Sequence, residues 1–198
     1  KPFEFLPYQG MLFQQPLEAH PEIQQITGTN AICCVRFICL VTPSGPSIHL
    51  AFWKITAGNN MLDNFSHGDY GNCLGSIDLA SGGITHAIAR MGPGGSIDRH
   101  PTTQKELIGF KLPFWSQAIE LVLAASTCFP GLRLQNWDVA LCPEGPVLLE
   151  LNTESELNVP QAISGRGFMN ASVRRLLAEI EADRKTRQAA VLQRDNPR

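Results

Sequence analysis

The chain has no basic excess. Sixteen Lys and Arg stand against eighteen Asp and Glu in 198 residues, a formal net charge of -2. Broad nucleic-acid binding rests on a basic patch or stripe, and this balance does not suggest one. No apolar run is long enough to span a bilayer, so neither nucleic acid nor membrane is an expected partner. The six cysteines, at 33, 34, 39, 73, 128 and 142, include no CxxC pair. The five histidines form no HxH or HExxH pattern, which argues against zinc. Several cysteines fall in segments that read as buried strands. Reduced thiols in a cytoplasmic protein are therefore expected. The opening KPFEFLPYQG has no signal-peptide pattern and does not begin with Met, so the chain is expected to be a piece of something longer.

What is present fits one globular domain, with 43% hydrophobic residues. The pattern alternates strands and helices in an α+β arrangement, mainly antiparallel sheet flanked by helices. A short strand is expected at 10–17, then a short helix in EAHPEIQQI with Pro21 in its first turn. Two strands follow, at 31–41 and 47–57. AGNNMLDNFSHGDYGN, 57–72, reads as a polar loop long enough to be functional. Residues 73–90 form a third hairpin turning at Ser81-Gly82-Gly83. A Gly/Pro-rich loop covers 91–110. Pro113 opens a helix over 114–128 with apolar Phe114, Ile119, Leu121, Val122 and Ala125. Residues 152–168 read as another polar loop. A last helix starts at about Asn170 as N-cap, with Val173, Leu176, Leu177 and Ile180 on one stripe. Its stripe weakens after Glu181. Residues 1–181 are thus expected as a single domain and 182–198 as a frayed polar tail.

The richest stretch is NWDVALCPEGPVLLELN, 136–152. It reads as a β-hairpin. With Pro143, Glu144 and Gly145 as a three-residue loop, Cys142 pairs with Pro146 and Asp138 lands opposite Glu150. Trp137, Val139 and Leu141 then share one apolar face with Leu151, Leu149 and Val147. A loop with an even residue count would put the two acids on opposite faces. Asn152 lies two residues beyond Glu150, on the same face. Facing carboxylates are unfavourable and need a shared proton or a cation. Two carboxylates and an amide oxygen are hard ligands, suited to Mg²⁺ held partly by phosphates. A plain surface hairpin with scattered acids is the alternative.

A second hairpin carries the opposite charge. Arg36 is the one charge in AICCVRFICLV, 31–41, an otherwise apolar strand. Turn signal PSGP at 43–46 leads into SIHLAFWKITA, 47–57. A five-residue loop places Arg36 opposite Lys54; a four-residue loop separates them. Two facing cations call for an anion between them, such as a phosphate chain. The alternative is a satisfied structural pair, or a Lys54 that snorkels to solvent.

These pieces, together with FQQPLEAHPEIQQI, WKITAGNNMLDNF, RHPTT and GFKLPFW, occur in an order that resembles the C-terminal part of ATP-grasp proteins. The closest likeness is to the sugar-transfer-associated ATP-grasp family, over roughly residues 12–165. The resemblance implies an ATP-grasp C-terminal lobe using ATP and Mg²⁺. By position in the motifs, it implies that Asp138, Glu150 and Asn152 hold the metal. Arg36 matches the phosphate-side arginine. Lys54 stands where the family usually has arginine, which keeps the charge and loses the bidentate fork. Asp63 and Asn64 match an Asp-Asn pair near the phosphates and acceptor, with Asn64 grouped among the catalytic residues. Gln15 stands where a glutamate usually helps seat the nucleoside. His100 matches a His-Pro position in the nucleotide-binding set.

The implied activity is that of an ADP-forming ligase, or its catalytic half. A carboxylate would be activated as an acyl phosphate and attacked by an amine-type nucleophile. Substrates would be a small-molecule carboxylate and an amine or sugar-linked acceptor. ATP-grasp enzymes clamp ATP between two lobes. The first lobe is expected to lie upstream of Lys1 or on a partner chain. Two alternatives stay open: a nucleotide-binding or regulatory module without turnover, and an unrelated metal-dependent α+β hydrolase using the same acids.

Overall fold

A computed structural model describes residues 14–154 and 156–195. Six strands form one sheet: β1 Val35–Thr42, β2 Gly45–Ile55, β3 Cys73–Ile77, β4 Ile84–Ile88, β5 Leu134–Cys142 and β6 Gly145–Asn152. The order across the sheet is β4-β3-β2-β1-β5-β6, and every neighbouring pair is antiparallel. Four helices complete it: α1 Pro21–Thr27, α2 Trp115–Ser126, α3 Asn158–Ser164 and α4 Ala171–Asp195. The fold is α+β, as the segment pattern implies.

Alternation along the strands divides the core in two. Val35, Phe37, Cys39, Trp53 and Ile55 pack on one face with Ile23 of α1 and Trp115, Ala118 and Val122 of α2. Ile38, Leu40, Phe52, Leu74 and Ile88 pack on the other with Ile163 of α3 and Val173 and Leu176 of α4. Phe37 and Trp115 stack at a ring separation of 5.2 Å.

Local chemistry sets the element ends. Pro21 occupies the first turn of α1, where its missing N–H costs nothing, and His20 Nδ1 accepts from the Glu22 N–H. Asn170 caps α4 as expected, its Oδ1 accepting from the N–H groups of Ser172 and Val173. The β3–β4 turn falls at Ser81-Gly82-Gly83 as expected. Gly82 has φ +72, and a Cβ there would lie 2.5 Å from the Trp115 indole. Only glycine meets both demands.

Several expectations are corrected. Both predicted long turns are two-residue turns, with Thr42 opposite Gly45 and Cys142 opposite Gly145. A bulge then steps each register by one residue, between Ile38 and Cys39 in one hairpin and between Asp138 and Val139 in the other, and only the second recovers the expected pairing. Arg36 consequently faces Phe52 and not Lys54, while the Lys54 N–H donates to the Cys34 carbonyl. Lys54 is a diagonal neighbour of Arg36 on the same face. Residues 152–168 are not all loop, because α3 lies within them. Its seven residues show too little polar–apolar period to be seen in sequence. The buried stripe of α2 is Trp115, Ala118, Val122 and Ser126. Where a polar tail is expected from residue 182, α4 continues to Asp195. Arg133 holds its middle, pairing with Glu179 at 2.8 Å and Asp183 at 3.2 Å. Of the strand expected at 10–17, residues 14–17 are irregular, and the rest lies outside the described residues.

Candidate functional site

β1 lies between β2 and β5, so the two charged hairpins are neighbours. Their register places Glu150, Asp138, Arg36, Phe52, Ser76 and His86 directly opposite one another, in one row across the sheet. Asp138 does face Glu150, through a two-residue turn and a bulge that makes Leu149 the extra residue. An even loop therefore does not separate the acids. The bulge restores the parity the turn takes away.

Arg36 engages Asp138 with a two-point fork: Nε donates to Oδ1 at 2.6 Å and an Nη to Oδ2 at 2.5 Å. The same guanidinium lies 3.9 Å from Glu150 Oε1. Lys54 Nζ reaches Asp138 Oδ2 at 3.1 Å and Asp63 Oδ1 at 3.0 Å. The other oxygen of Asp63 accepts from the Cys34 N–H at 2.7 Å. The cation that offsets the facing acids is Arg36, and the anion between Arg36 and Lys54 is Asp138.

Burial tunes these groups. The side chains of Asp138, Lys54 and Arg36 are 3%, 11% and 24% exposed, and that of Glu150 is 58% exposed. Burial alone would raise the Asp138 pKa, but hydrogen bonds and charge from Arg36 and Lys54 outweigh it and hold the carboxyl below its ordinary value. Burial alone would lower Lys54 and Arg36; the facing carboxylates outweigh it, and both are raised. All three are charged at neutral pH. Two cations and three carboxylates (Asp63, Asp138, Glu150) leave the cluster at about -1.

Two cavities open onto it. One, of about 190 Å³, is lined by Arg36, Lys54, Asn64, Asn136 and Glu156 above an apolar floor of Ile38, Phe52 and Leu74. The other, of about 380 Å³, is lined by Lys54, Asp63, Asn64, Asp138 and Glu150 with Met61, Leu62 and Leu149. Lys54 and Asn64 border both. Asn152 donates to Glu150 Oε1 at 2.9 Å, so Asn152 and Glu150 stand together.

Two expected residues lie elsewhere. Gln15 is exposed and lines a separate cavity against the β5–β6 turn, with Cys142 to Val147. Asp138 is four residues back along β5, about 13 Å at the usual strand rise. His100 is fully buried and lines neither cavity. Its Nε2 donates to the Thr56 carbonyl at 2.8 Å, and Nδ1 accepts from the Thr103 N–H at 3.2 Å. Burial lowers its pKa, the Thr56 contact opposing. The neutral ring ties the 91–110 segment to the end of β2.

One important residue gave no sequence signal. Asn72 is 1% exposed and satisfies both ends of its amide. Oδ1 accepts from the Ala57 N–H at 3.0 Å and from Asn60 at 2.8 Å, while Nδ2 donates to the carbonyls of Leu62 and Asn64, both at 2.8 Å. Those two carbonyls bracket Asp63. Asn72 thus shapes the 57–72 segment so that Asp63 reaches Lys54 and Asn64 borders both cavities. In the sequence it is one more asparagine in a polar loop. Asn136 was legible, since the register that pairs Asp138 with Glu150 also pairs Asn136 with Asn152.

The donor set fits Mg²⁺. Asp138, Glu150 and Asn152 offer hard oxygens, and a carboxylate has about four acceptor sites, of which Asp138 uses three. Among the described residues no three His, Cys, Asp or Glu side chains group as an all-protein metal cage. Five cysteines are buried as free thiols, and burial pushes Cys33 and Cys39 up to about 11 and Cys73 to about 12. They are packing groups, not nucleophiles. Among the described residues no helix is long and apolar enough to cross a membrane.

Comparison with curated proteins and with solved structures gave no match. A family model for sugar-transfer-associated ATP-grasp proteins matches residues 7–176, most of the chain. The chain belongs to the sugar-transfer-associated ATP-grasp family.

Proposed function

We propose that this chain is the phosphate- and metal-binding half of an ATP- and Mg²⁺-dependent ligase. The observation that carries the reading is the Glu150–Asp138–Arg36 row with Lys54 and Asp63 beside it, open to two cavities. ATP-grasp proteins are generally ATP-dependent ligase-type enzymes, which supports the class.

In this reading Asp138, Glu150 and Asn152 would hold Mg²⁺ together with the nucleotide phosphates, and the ion would supply charge neutralisation for the transferring phosphoryl group. Arg36 and Lys54 stabilise that group, and Asn64 orients the acceptor carboxylate between the cavities. The carboxylate oxygen attacks the γ-phosphorus and ADP leaves. The amine nitrogen of a second substrate then attacks the acyl carbon, loses a proton, and phosphate leaves. The expected substrates are a small carboxylate and an amine or sugar-linked acceptor. A first lobe, on a longer chain or a partner, closes over the nucleotide. Buried free thiols support a reducing, cytoplasmic setting.

Asp138 is already held by two cations. Arg36 spends two of its five donors on Asp138, so in this reading the remaining donors meet the phosphate oxygens. The same pairing favours a second reading, a nucleotide-binding module locked without turnover. ADP release in the presence of Mg²⁺-ATP and carboxylate candidates separates the two. ADP formed in step with carboxylate supports the ligase. Saturable nucleotide binding with no ADP supports the module.

A further inference from the structure

The sheet face that carries Arg36 continues past Phe52 and Ser76 to His86 on the edge strand β4. There a groove of about 500 Å³ opens between β4, the turn that follows it and the end of α3. Its polar side chains are His86, Arg90, Ser96, Gln161 and Arg166, and none of its lining residues is acidic. Among the described residues neither Arg90 nor Arg166 takes part in an ion pair. Arg36, Lys54, Arg99 and Arg133 each do. Two guanidiniums and an imidazole therefore line one groove with no counter-charge among the described residues.

The arrangement is built into the backbone. Gly95 folds back on Arg90 so closely that a Cβ would lie 2.0 Å from the Arg90 carbonyl oxygen. A Cβ at Gly68, on the neighbouring turn, would lie 2.9 Å from the Arg90 Cα. The Ala89 N–H donates to the Gly95 carbonyl at 2.8 Å. Arg90 itself spends one donor on the Pro93 carbonyl, at 3.3 Å, which leaves most of its fork free. Gln161 Oε1 accepts from the Phe168 N–H at 3.1 Å, which fixes that amide and keeps its nitrogen as a donor.

We propose that this groove is a second anion site, for a phosphate group. Planar guanidinium forks match phosphate oxygens in pairs, and Ser96 and Gln161 add neutral donors. The carbonyl end of α3 opposes an anion here, but a seven-residue helix has a weak end field beside two full positive charges. His86 is three strand spacings from Arg36, about 14 Å, on the same sheet face. The assignment does not depend on nucleotide binding at Arg36.

The test is titration of the full 198-residue chain with inorganic phosphate at pH 7 and constant ionic strength. The readout is the His86 ring resonance, assigned with His86→Gln. A saturable shift is expected, with apparent affinity at least tenfold weaker in Arg90→Gln and in Arg166→Gln. Acetate, run in parallel, should give no saturable shift. Both arginines are exposed, so thermal melts should match the parent; if one variant does not fold, the other carries the comparison. A shift that fails to saturate, that acetate reproduces, or that both folded variants retain unchanged would overturn the proposal.

Discussion

Arg36 and Asp138 meet directly across β1 and β5, in a two-point fork between side chains 102 residues apart. Each answers the other's sequence problem. Arg36 is the lone charge of an apolar strand, and Asp138 is a carboxylate facing another carboxylate. The pair couples the fold's central strand pairing to the site.

Replacing Asp138 should therefore be costly to stability. Asp138→Ala leaves Arg36 and the buried Lys54 without their shared partner, although Asp63 still holds Lys54. Removing one member of a buried ion pair costs about 3–5 kcal/mol. A loss near the lower end is expected in urea unfolding. Relief of repulsion with Glu150 is worth only a few tenths of a kcal/mol, roughly, and does not compensate. A variant as stable as the parent would show that the pair contributes nothing.

Arg36→Met keeps the apolar shaft and leaves Asp138 with Lys54 alone. A hydrogen bond to a charged group is worth about 1.5–3 kcal/mol, and a stability loss in that range is expected. Nucleotide affinity should fall as well. Unchanged Mg²⁺-ATP affinity in a folded Arg36→Met protein would remove Arg36 from the phosphate site.

Asn72→Ala orphans the carbonyls of Leu62 and Asn64 and the Ala57 N–H. Unsatisfied buried groups cost about 1–3 kcal/mol each where water cannot replace the partner. Amide exchange across residues 57–72 should accelerate by tenfold or more, while β1 and β5 stay protected. Equal acceleration everywhere would mean that Asn72 supports the whole fold and not this segment.

The pH dependence has a definite sign. Burial lowers the folded-state pKa of His49 and His100, so the unfolded chain binds more protons. Their contribution is full above the ordinary imidazole value of about 6.5 and is lost as pH falls through the lowered folded values. Asp138, also lowered, keeps its contribution until pH drops below the ordinary 3.8 and through its folded value. Melting temperature should be flat near neutrality, decline below about pH 6.5, and decline again in strong acid. His100→Gln should flatten the first decline. Parallel curves for the two proteins would exclude His100 as its source.

The sequence carried much of this, and the misses have physical causes. Asp138 opposite Glu150 and Trp137 opposite Leu151 were legible, but the rest of the expected apolar match was not: the bulge sets Val139 against Leu148 and Leu141 against Pro146 and leaves Leu149 as an extra, exposed residue. Bulges are invisible to a reading from apolar alternation. The loop lengths were therefore wrong in both hairpins, harmlessly at Asp138 and decisively at Arg36. The pairing of β1 with β5 spans about a hundred residues and leaves no local trace. Without it, the anion between Arg36 and Lys54 could not be identified as Asp138. Asn72 shows the same limit, since its role depends on carbonyls that only the folded loop brings together.

The most direct measurement is calorimetric titration of Mg²⁺-ATP into the parent and into Glu150→Gln. Glu150 is the one acid of the row that is mostly exposed, so its loss should cost less than about 1 kcal/mol of stability. Saturable, Mg²⁺-dependent binding by the parent is expected, with at least tenfold weaker binding by the variant and closely similar melting temperatures. Equal affinity in the two proteins, or binding by the parent that ignores Mg²⁺, would contradict the Mg²⁺ assignment.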